Sequence, residues 1–536
     1  MRALLSLYAL LLALPVAAVL GAWLAFDAQA LAVLRHQWDT VLGGYAWQSL
    51  ALALGVAAGT AVLGVATAVA VALFRFPGRG VFEWALLLPM AMPAYVLAYA
   101  ATDALQPAGL LQVALRERFG WRGALWPDVR SLGGAVLLFV LCLYPYVYLL
   151  TRAALTERAV QMMEAARLLG AGLRRRLLTV ALPLARPAVV AGVALALMET
   201  LADYGVGAYF GLTTFTTGIY RAWLSMNDPV AAAQLASILL ALVALLLALE
   251  RRAQSRMRFA ASRSGSAQSG EARPVVLRGR RAALAVTLCA APVLLGFVLP
   301  VGWLGAMLWR EAAYGEVGLP LARFGQWAWA TFRLAGSAAL VATITALVLA
   351  FALRQRAGRG DAALAAGARL LSLGYAVPGA VVAIGILMPL GWAQQRWPDL
   401  GLAPVFTGTL LGVMYAYLVR FTAVAMQSVE AGYARVPASV DETARMLGAG
   451  RARIFLRLHL PLLRRPVLAA LLLVFVDVMK ELPATLVLRP FGSDTLAVVA
   501  YNLARDERLA EAALPSLAIV AVGLLPVVLL SRAMRQ

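Results

Sequence analysis

The chain alternates long apolar runs with short polar islands. Apolar runs of about 20 residues read as membrane-spanning helices. Here they fall near 4–26, 49–74, 82–105, 132–151, 188–210 and 230–249, and again near 282–309, 329–353, 362–392, 404–420, 467–488 and 512–530. Backbone polar groups in lipid must be paired within their own segment, so helices are required there. The strict alternation of a membrane β-barrel is missing. The pattern predicts an all-α, polytopic membrane protein of about twelve transmembrane helices, in two groups of about six. The stretch 251–281 between the groups is rich in Arg, Ser and Gly. It is too polar to bury a core and reads as a basic, flexible cytoplasmic linker. The expected organisation is a first membrane repeat over 1–250, this linker, and a second repeat over 282–536.

The second group repeats the first. Glu164 to Pro183, EAARLLGAGLRRRLLTVALP, returns at Glu442 to Pro461 as ETARMLGAGRARIFLRLHLP. One offset of 278 residues superimposes Glu164 on Glu442, Ala166 on Ala444, Gly170 on Gly448 and Pro183 on Pro461. FRFPGRG at 74–80 echoes LRQRAGRG at 353–360, and AMPAYVLAYA at 91–100 echoes AVPGAVVAIG at 376–385. Each group has an even number of spans and starts from the same side, so the repeats are parallel.

Composition fixes the setting. Hydrophobic residues are 62% and charged residues 14% of the chain, against roughly half and a quarter in soluble domains. The net charge of +21 is carried by arginine, Lys480 being the one lysine. In so apolar a chain this excess marks cytoplasmic loops, and nucleic acid is not an expected partner. With the N-terminus inside, the cytoplasmic segments collect Arg75 and Arg79, then Arg152 to Arg186, the linker arginines, Arg354 to Arg359, Arg420 through Arg465, and Arg532 with Arg535. Both termini are therefore expected in the cytoplasm. The first run follows Arg2 and precedes a cleavage-like DAQA, but it is long for a signal core and more spans follow. We expect it to be a retained helix.

The duplicated segment reads as a device. Val160, Met163, Ala166 (or Arg167) and Leu169 recur at helical spacing within 157–170. Gly170 and Gly172 then interrupt, since glycine ends helices at little cost. A second basic helix over 173–182 runs up to Pro183. The expected result is a cytoplasmic helix–turn–helix hairpin on which another protein docks. The alternative is a surface segment lying in anionic headgroups, but that role needs no fixed spacing from Glu to Gly to Pro.

These loops resemble the EAA loop of ABC-importer permeases, whose helix seats in a groove of the ATPase subunit. The second copy departs from the pattern with Thr443 in place of the first Ala. Two copies in one chain are similar to the fused permeases of the type I importer fold. The docking residues implied are Glu164, Ala165, Ala166, Gly170 and Pro183, with Glu442, Ala444, Gly448 and Pro461. METLADYGVGAYFGLTTFTTGIYRAW at 198–223 and DVMKELPATLVLRPFGSDTLAVVAYNLARDERLAEAALP at 477–515 resemble the ferric-iron permeases of this class. The resemblance implies iron(III) import across a bacterial inner membrane by alternating access, with two copies of an ATPase and a periplasmic substrate-binding protein as partners. Thiamine, polyamine, phosphonate and sulfate permeases share the loop.

The sequence carries no Walker A motif, because Lys480 lies between Met479 and Glu481. Energy must then come from a partner, and the chain reads as a transport subunit rather than an enzyme. Cys142 and Cys289 lie in apolar runs, and His36 and His459 are the only histidines. No cofactor and no stable metal site is expected, which disfavours a membrane oxidoreductase. An ion-coupled secondary transporter also uses repeats and intramembrane acids, but it has no need of a duplicated loop.

Acids follow each loop. Glu199 and Asp203 match Asp477 and Glu481 at the same offset of 278. Residues four apart share a helix face, so four carboxylates are expected to surround a pseudo-twofold pathway, with Lys480 beside them. Charged groups within spans line cavities or pair with one another, and both roles stay open. Tyr204, Tyr209 and Tyr220 offer phenol oxygens, although tyrosines at helix ends are more often interfacial anchors. Pro89, Pro93 and Pro378 are candidate kinks.

Overall fold

Three helices frame each repeat: Gly43–Leu73, Leu132–Ala154 and Leu182–Ala202 in the first, and Leu321–Arg354, Leu411–Tyr433 and Arg464–Met479 in the second. A computed structural model describes residues 2–24, 28–156, 160–263, 275–315, 318–355 and 374–533. Lipid tails give helices no hydrophobic drive to associate, so small residues must let backbones approach. Gly55, Gly59 and Gly64 do this for the first repeat. A Cβ added at each would stand 2.8, 2.4 and 2.6 Å from Val136, Val140 and Val147. Gly192 closes the triangle, 2.7 Å from the Val147 Cα by the same measure.

The chain folds into two compact units, and these are not its sequential halves. One comprises Met1–Gln37, Ile219–Leu240 and Pro320–Val499, and so holds the frame of the second repeat. In it the opening helix of the chain, Arg2–Gly21, packs on Gly379–Arg396. The fit is tight: a Cβ at Gly385 would stand 2.1 Å from the Pro15 carbonyl oxygen. The other unit comprises Trp38–Gly218, Ala241–Leu319 and Ala500–Gln536, and holds the frame of the first repeat. There the opening helices of the second repeat, through Leu299–Tyr314, pack on Ala94–Leu105 and Leu509–Ala533. Trp303 Nε1 donates to Asp103 Oδ2 at 2.8 Å across that contact. Each unit thus takes the first helix of the other repeat.

The architecture is polytopic and helical, as the runs predict. Among the described residues, seven helices are long and apolar enough to cross a membrane, or nine if each of two bent pairs is one span. Part of the expected 362–392 span lies outside the described residues. Pro89 and Pro93 sit where Arg79–Ala91 meets Ala94–Phe119 at 90°. Pro378 precedes Gly379–Arg396. The linker is more ordered than its composition predicts. Helix Pro229–Arg263 runs well into it. Beyond 264–274, which lie outside the described residues, Val275–Val276 pair in parallel with Phe74–Arg75, the one strand pairing among the described residues.

Candidate functional site

Both loops have the same backbone. Helix Val160–Leu168 ends at Gly170 with φ of +79°, and helix Ala438–Met446 at Gly448 with φ of +77°. In each, the Gly N–H reaches back three residues (Gly170 to Arg167 at 3.0 Å, Gly448 to Arg445 at 2.9 Å). The next N–H reaches back five, Ala171 to Ala166 and Ala449 to Ala444 at 3.0 Å. This is a Schellman closure, which requires the left-handed residue that glycine supplies. Glu164 and Glu442 are exposed, Ala165 is exposed, and Ala166 and Ala444 are half-buried. Apolar side chains project at the turns: Leu168 and Leu169 are 88% and 87% exposed, Met446 and Leu447 88% and 81%. Leu169 therefore leaves the helical stripe that includes the buried Met163, because the helix ends one residue before it. Glu157 and Arg158 lie outside the described residues.

The return limb differs from expectation. The helix from Leu173 does not stop at Pro183 but runs on as one apolar stretch to Ala202, 30 residues in all. A wide π-type turn over Leu177–Ala181 precedes Pro183, whose missing N–H then falls in the first turn of Leu182–Ala202. The second copy shows the same wide turn at Ile454–His459, then a single irregular residue, Leu463, before Arg464–Met479. Pro183 is half-buried and Pro461 exposed. Each turn is thus joined through helix to the acids that follow.

The loops differ at their roots. In the second copy Asp441 accepts from Arg354 Nε at 2.7 Å and from His459 Nε2 at 2.5 Å. The Tyr433 hydroxyl lies 3.2 Å from His459 Nδ1, so one neutral tautomer satisfies the ring, donating to Asp441 and accepting from Tyr433. Arg354 also donates to the Pro437 carbonyl at 2.9 Å. Burial would raise the Asp441 carboxyl, but the hydrogen bonds from Arg354 and His459 outweigh it and hold the group below the ordinary aspartate value. In the first copy the positions matching Tyr433, Asp441 and His459 are Leu155, Met163 and Ala181. All three belong to one apolar core with Leu73 and Phe76.

The acids do not share the face of one continuous helix. Helix Leu182–Ala202 ends just before Asp203, and Arg464–Met479 ends before Lys480 and Glu481. The second acid of each pair caps the short helix beyond the break. Asp203 accepts from the Val206 N–H at 2.8 Å, and Glu481 from the Ala484 N–H at 2.9 Å, at the same offset. Charge then separates the repeats. Glu481 is buried, meets Arg420 at 2.8 Å, and accepts from Thr485 N–H and Oγ1 at 3.0 and 2.5 Å. Asp477 pairs with Lys480 at 2.8 Å. The positions that match Arg420 and Lys480 are Cys142 and Ala202 in the first repeat. Glu199 and Asp203 are both half-buried.

Arg420 is a correction. Its charge marked the end of a span and the start of a cytoplasmic segment, yet it lies inside Leu411–Tyr433 and is 9% exposed. An arginine at the edge of an apolar run, with an unmatched acid in a later run, was the available signal. The tyrosines are engaged as well. Tyr204 meets the Tyr501 hydroxyl at 3.3 Å, and Tyr209 accepts from Arg130 at 3.2 Å. Tyr220 is buried and donates to the Pro483 carbonyl, so it is not an interfacial anchor.

The profile described as the binding-protein-dependent transport system inner membrane component matches residues 61–259 and 357–536. The chain belongs to this family. It is a multi-pass ABC importer permease, a transport subunit built to work with a binding protein and an ATPase; the first match takes in the end of Gly43–Leu73 with Leu132–Ala154 and Leu182–Ala202, and the second takes in Leu411–Tyr433 and Arg464–Met479 but begins after Leu321–Arg354. It is 25% identical over 498 residues to the Fe(3+)-transport system permease protein FbpB 2 of Haemophilus influenzae, covering 90% of this chain and 88% of that one. The molybdenum transport system permease protein ModB of Escherichia coli is 31% identical over 214 residues, 38% of this chain and 91% of its own length. A 2-aminoethylphosphonate transport system permease protein, PhnU, of Salmonella choleraesuis is 28% identical over 211 residues, 39% of this permease and 74% of its own length. No solved structure matches significantly.

Proposed function

We propose that this permease carries iron(III) from the periplasm to the cytoplasm across the inner membrane by alternating access. Two copies of a separate ATPase dock on the cytoplasmic turns, one at Glu164, Ala165, Ala166, Gly170 and Pro183, the other at Glu442, Ala444, Gly448 and Pro461. Both termini face the cytoplasm. A loaded periplasmic binding protein delivers substrate from the other side. The observation that carries this reading is the pair of identical turns, each running through helix into an acid-capped break. Movement of a turn is transmitted along the helix to the carboxylates.

Glu199 and Asp203, with Asp477, Lys480 and Glu481 from the second repeat, line the pathway of the cation; in the second repeat Asp477 pairs with Lys480 and Glu481 with Arg420. A hard trivalent ion favours oxygen ligands, and conduction needs contacts weak enough to release it. Iron(III) is favoured because likeness to the FbpB 2 permease runs along nearly the whole chain. Import of another solute is the second reading, supported by the shorter matches to ModB and PhnU. Uptake into proteoliposomes holding permease and ATPase, with the binding protein outside, separates them. ATP-dependent accumulation of labelled iron(III) is expected. Accumulation of molybdenum or 2-aminoethylphosphonate with none of iron sinks the substrate reading, and uptake without ATP sinks the importer reading.

A further inference from the structure

We propose that Arg354, Tyr433, Asp441 and His459 are positioning residues that latch the second docking turn, and that the two turns of this permease are held by opposite chemistry. The proposal rests on the docking reading above for its functional consequence, but not for its geometry. Asp441 lies on the outgoing helix Ala438–Met446 and His459 on the return limb. Their 2.5 Å hydrogen bond closes the hairpin across 18 residues. Arg354, at the end of Leu321–Arg354, fastens that closure to the frame. The His459 ring is fully buried, edge-on to Phe351 at 5.4 Å and to Tyr433 at 5.3 Å, so it has one orientation.

A directional network of this kind fixes register, because hydrogen bonds are lost steeply with misalignment. The apolar root of the first loop resists separation but tolerates sliding, since dispersion contacts have little directional demand. The second turn is therefore the stiffer lever. A conformational step that must move both turns meets a charged closure on one side and an apolar one on the other.

The test reads each turn directly. Spin labels are placed on Leu447→Cys and, separately, on the matching Leu169→Cys; both positions are exposed, and the native Cys142 and Cys289 are buried. In the complex with the ATPase subunit, D441N and H459A are expected to free the label at 447 several-fold in rotational correlation time and to leave that at 169 unchanged. The variant R354L/Y433L/D441M/H459A is expected to restore immobilisation: its last three changes copy Leu155, Met163 and Ala181 of the first loop, and R354L removes the cation left without Asp441. That restoration separates loss of position from loss of fold. Unchanged mobility at 447 in both single variants overturns the proposal, as does equal loosening at 169. Loosening at 447 with undiminished ATPase binding and coupling supports the latch and overturns the docking reading instead.

Discussion

Arg420 holds Glu481 at 2.8 Å across 61 residues of sequence, where the first repeat matches them with Cys142 and Asp203. The duplicated break therefore carries a buried Arg–Glu pair in the second repeat, which Cys142 and Asp203 cannot form in the first. A buried ion pair returns little net stability, because desolvation offsets attraction, but removing one partner strands a charge at a cost of about 3–5 kcal/mol. Arg420→Met is expected to lower the yield of folded permease sharply. R420M/E481Q, which removes both charges, is expected to recover most of it. A thermal-shift comparison in detergent checks this, and equal damage in the single and double variants contradicts the pairing.

The same asymmetry assigns different fates to matching acids. Asp203→Asn retains a side-chain acceptor for the Val206 N–H, so assembly is expected to survive while cation uptake falls at least tenfold. Glu481→Gln strands Arg420 and is expected to reduce assembly first. E199A/D477A is expected to impair uptake with assembly spared. Normal transport in D203N would make the first-repeat acid a cap and nothing more.

The fold was legible where it rests on period and repetition. Apolar runs gave the helices, and the offset of 278 located both turns and the glycines that close them. What escaped was whatever depends on distant pairing. Arg420 looked like a boundary because its partner lies two segments away. The acids four apart looked like one helical face because nothing local announces that the helix stops at Ala202. The exchange of first helices left no trace in hydropathy, since Arg2–Gly21 is apolar whichever helix it meets. The latch at Asp441 was hidden because Met163 and Ala181 stand at its positions in the first copy, so comparing the copies pointed away from it.

Acid should release the second turn. A carboxyl held below its ordinary value adds stability wherever the unfolded group is ionised, fully so above about pH 4. That contribution is lost as pH falls through the depressed native value of Asp441. A label on Met446→Cys is expected to stay immobile through neutral and mildly acidic pH and to loosen only below the ordinary aspartate range. In D441N it should be loose throughout. Matching pH profiles in the two proteins would remove Asp441 from the closure.

The packing of the opening helix offers a steric test. A Cβ at Gly385 has the Pro15 carbonyl oxygen at 2.1 Å, which is backbone and cannot rotate away. Gly385→Ala should therefore push Arg2–Gly21 off Gly379–Arg396, at a cost of about 1–3 kcal/mol or more. Gly391→Ala on the same helix meets nothing within 4 Å and serves as the control. A disulfide trap between engineered cysteines on the two helices should form in G391A and fail in G385A.

The turn glycines isolate the backbone from packing. Gly170 and Gly448 have φ of +79° and +77°, and a Cβ at either meets nothing within 4 Å. Replacement by Ala costs only the left-handed conformation, about 1–2 kcal/mol, and valine adds β-branching at the same place. Each Schellman closure would then open while the frame helices stay intact. G170V/G448V is expected to fold and reach the membrane, to lose copurification of the ATPase, and to lose ATP-driven uptake. Each single variant should retain one half of the docking. Undiminished uptake in the double variant would mean that the turns do not carry the coupling, and the acids beyond them would then have to be driven by something else.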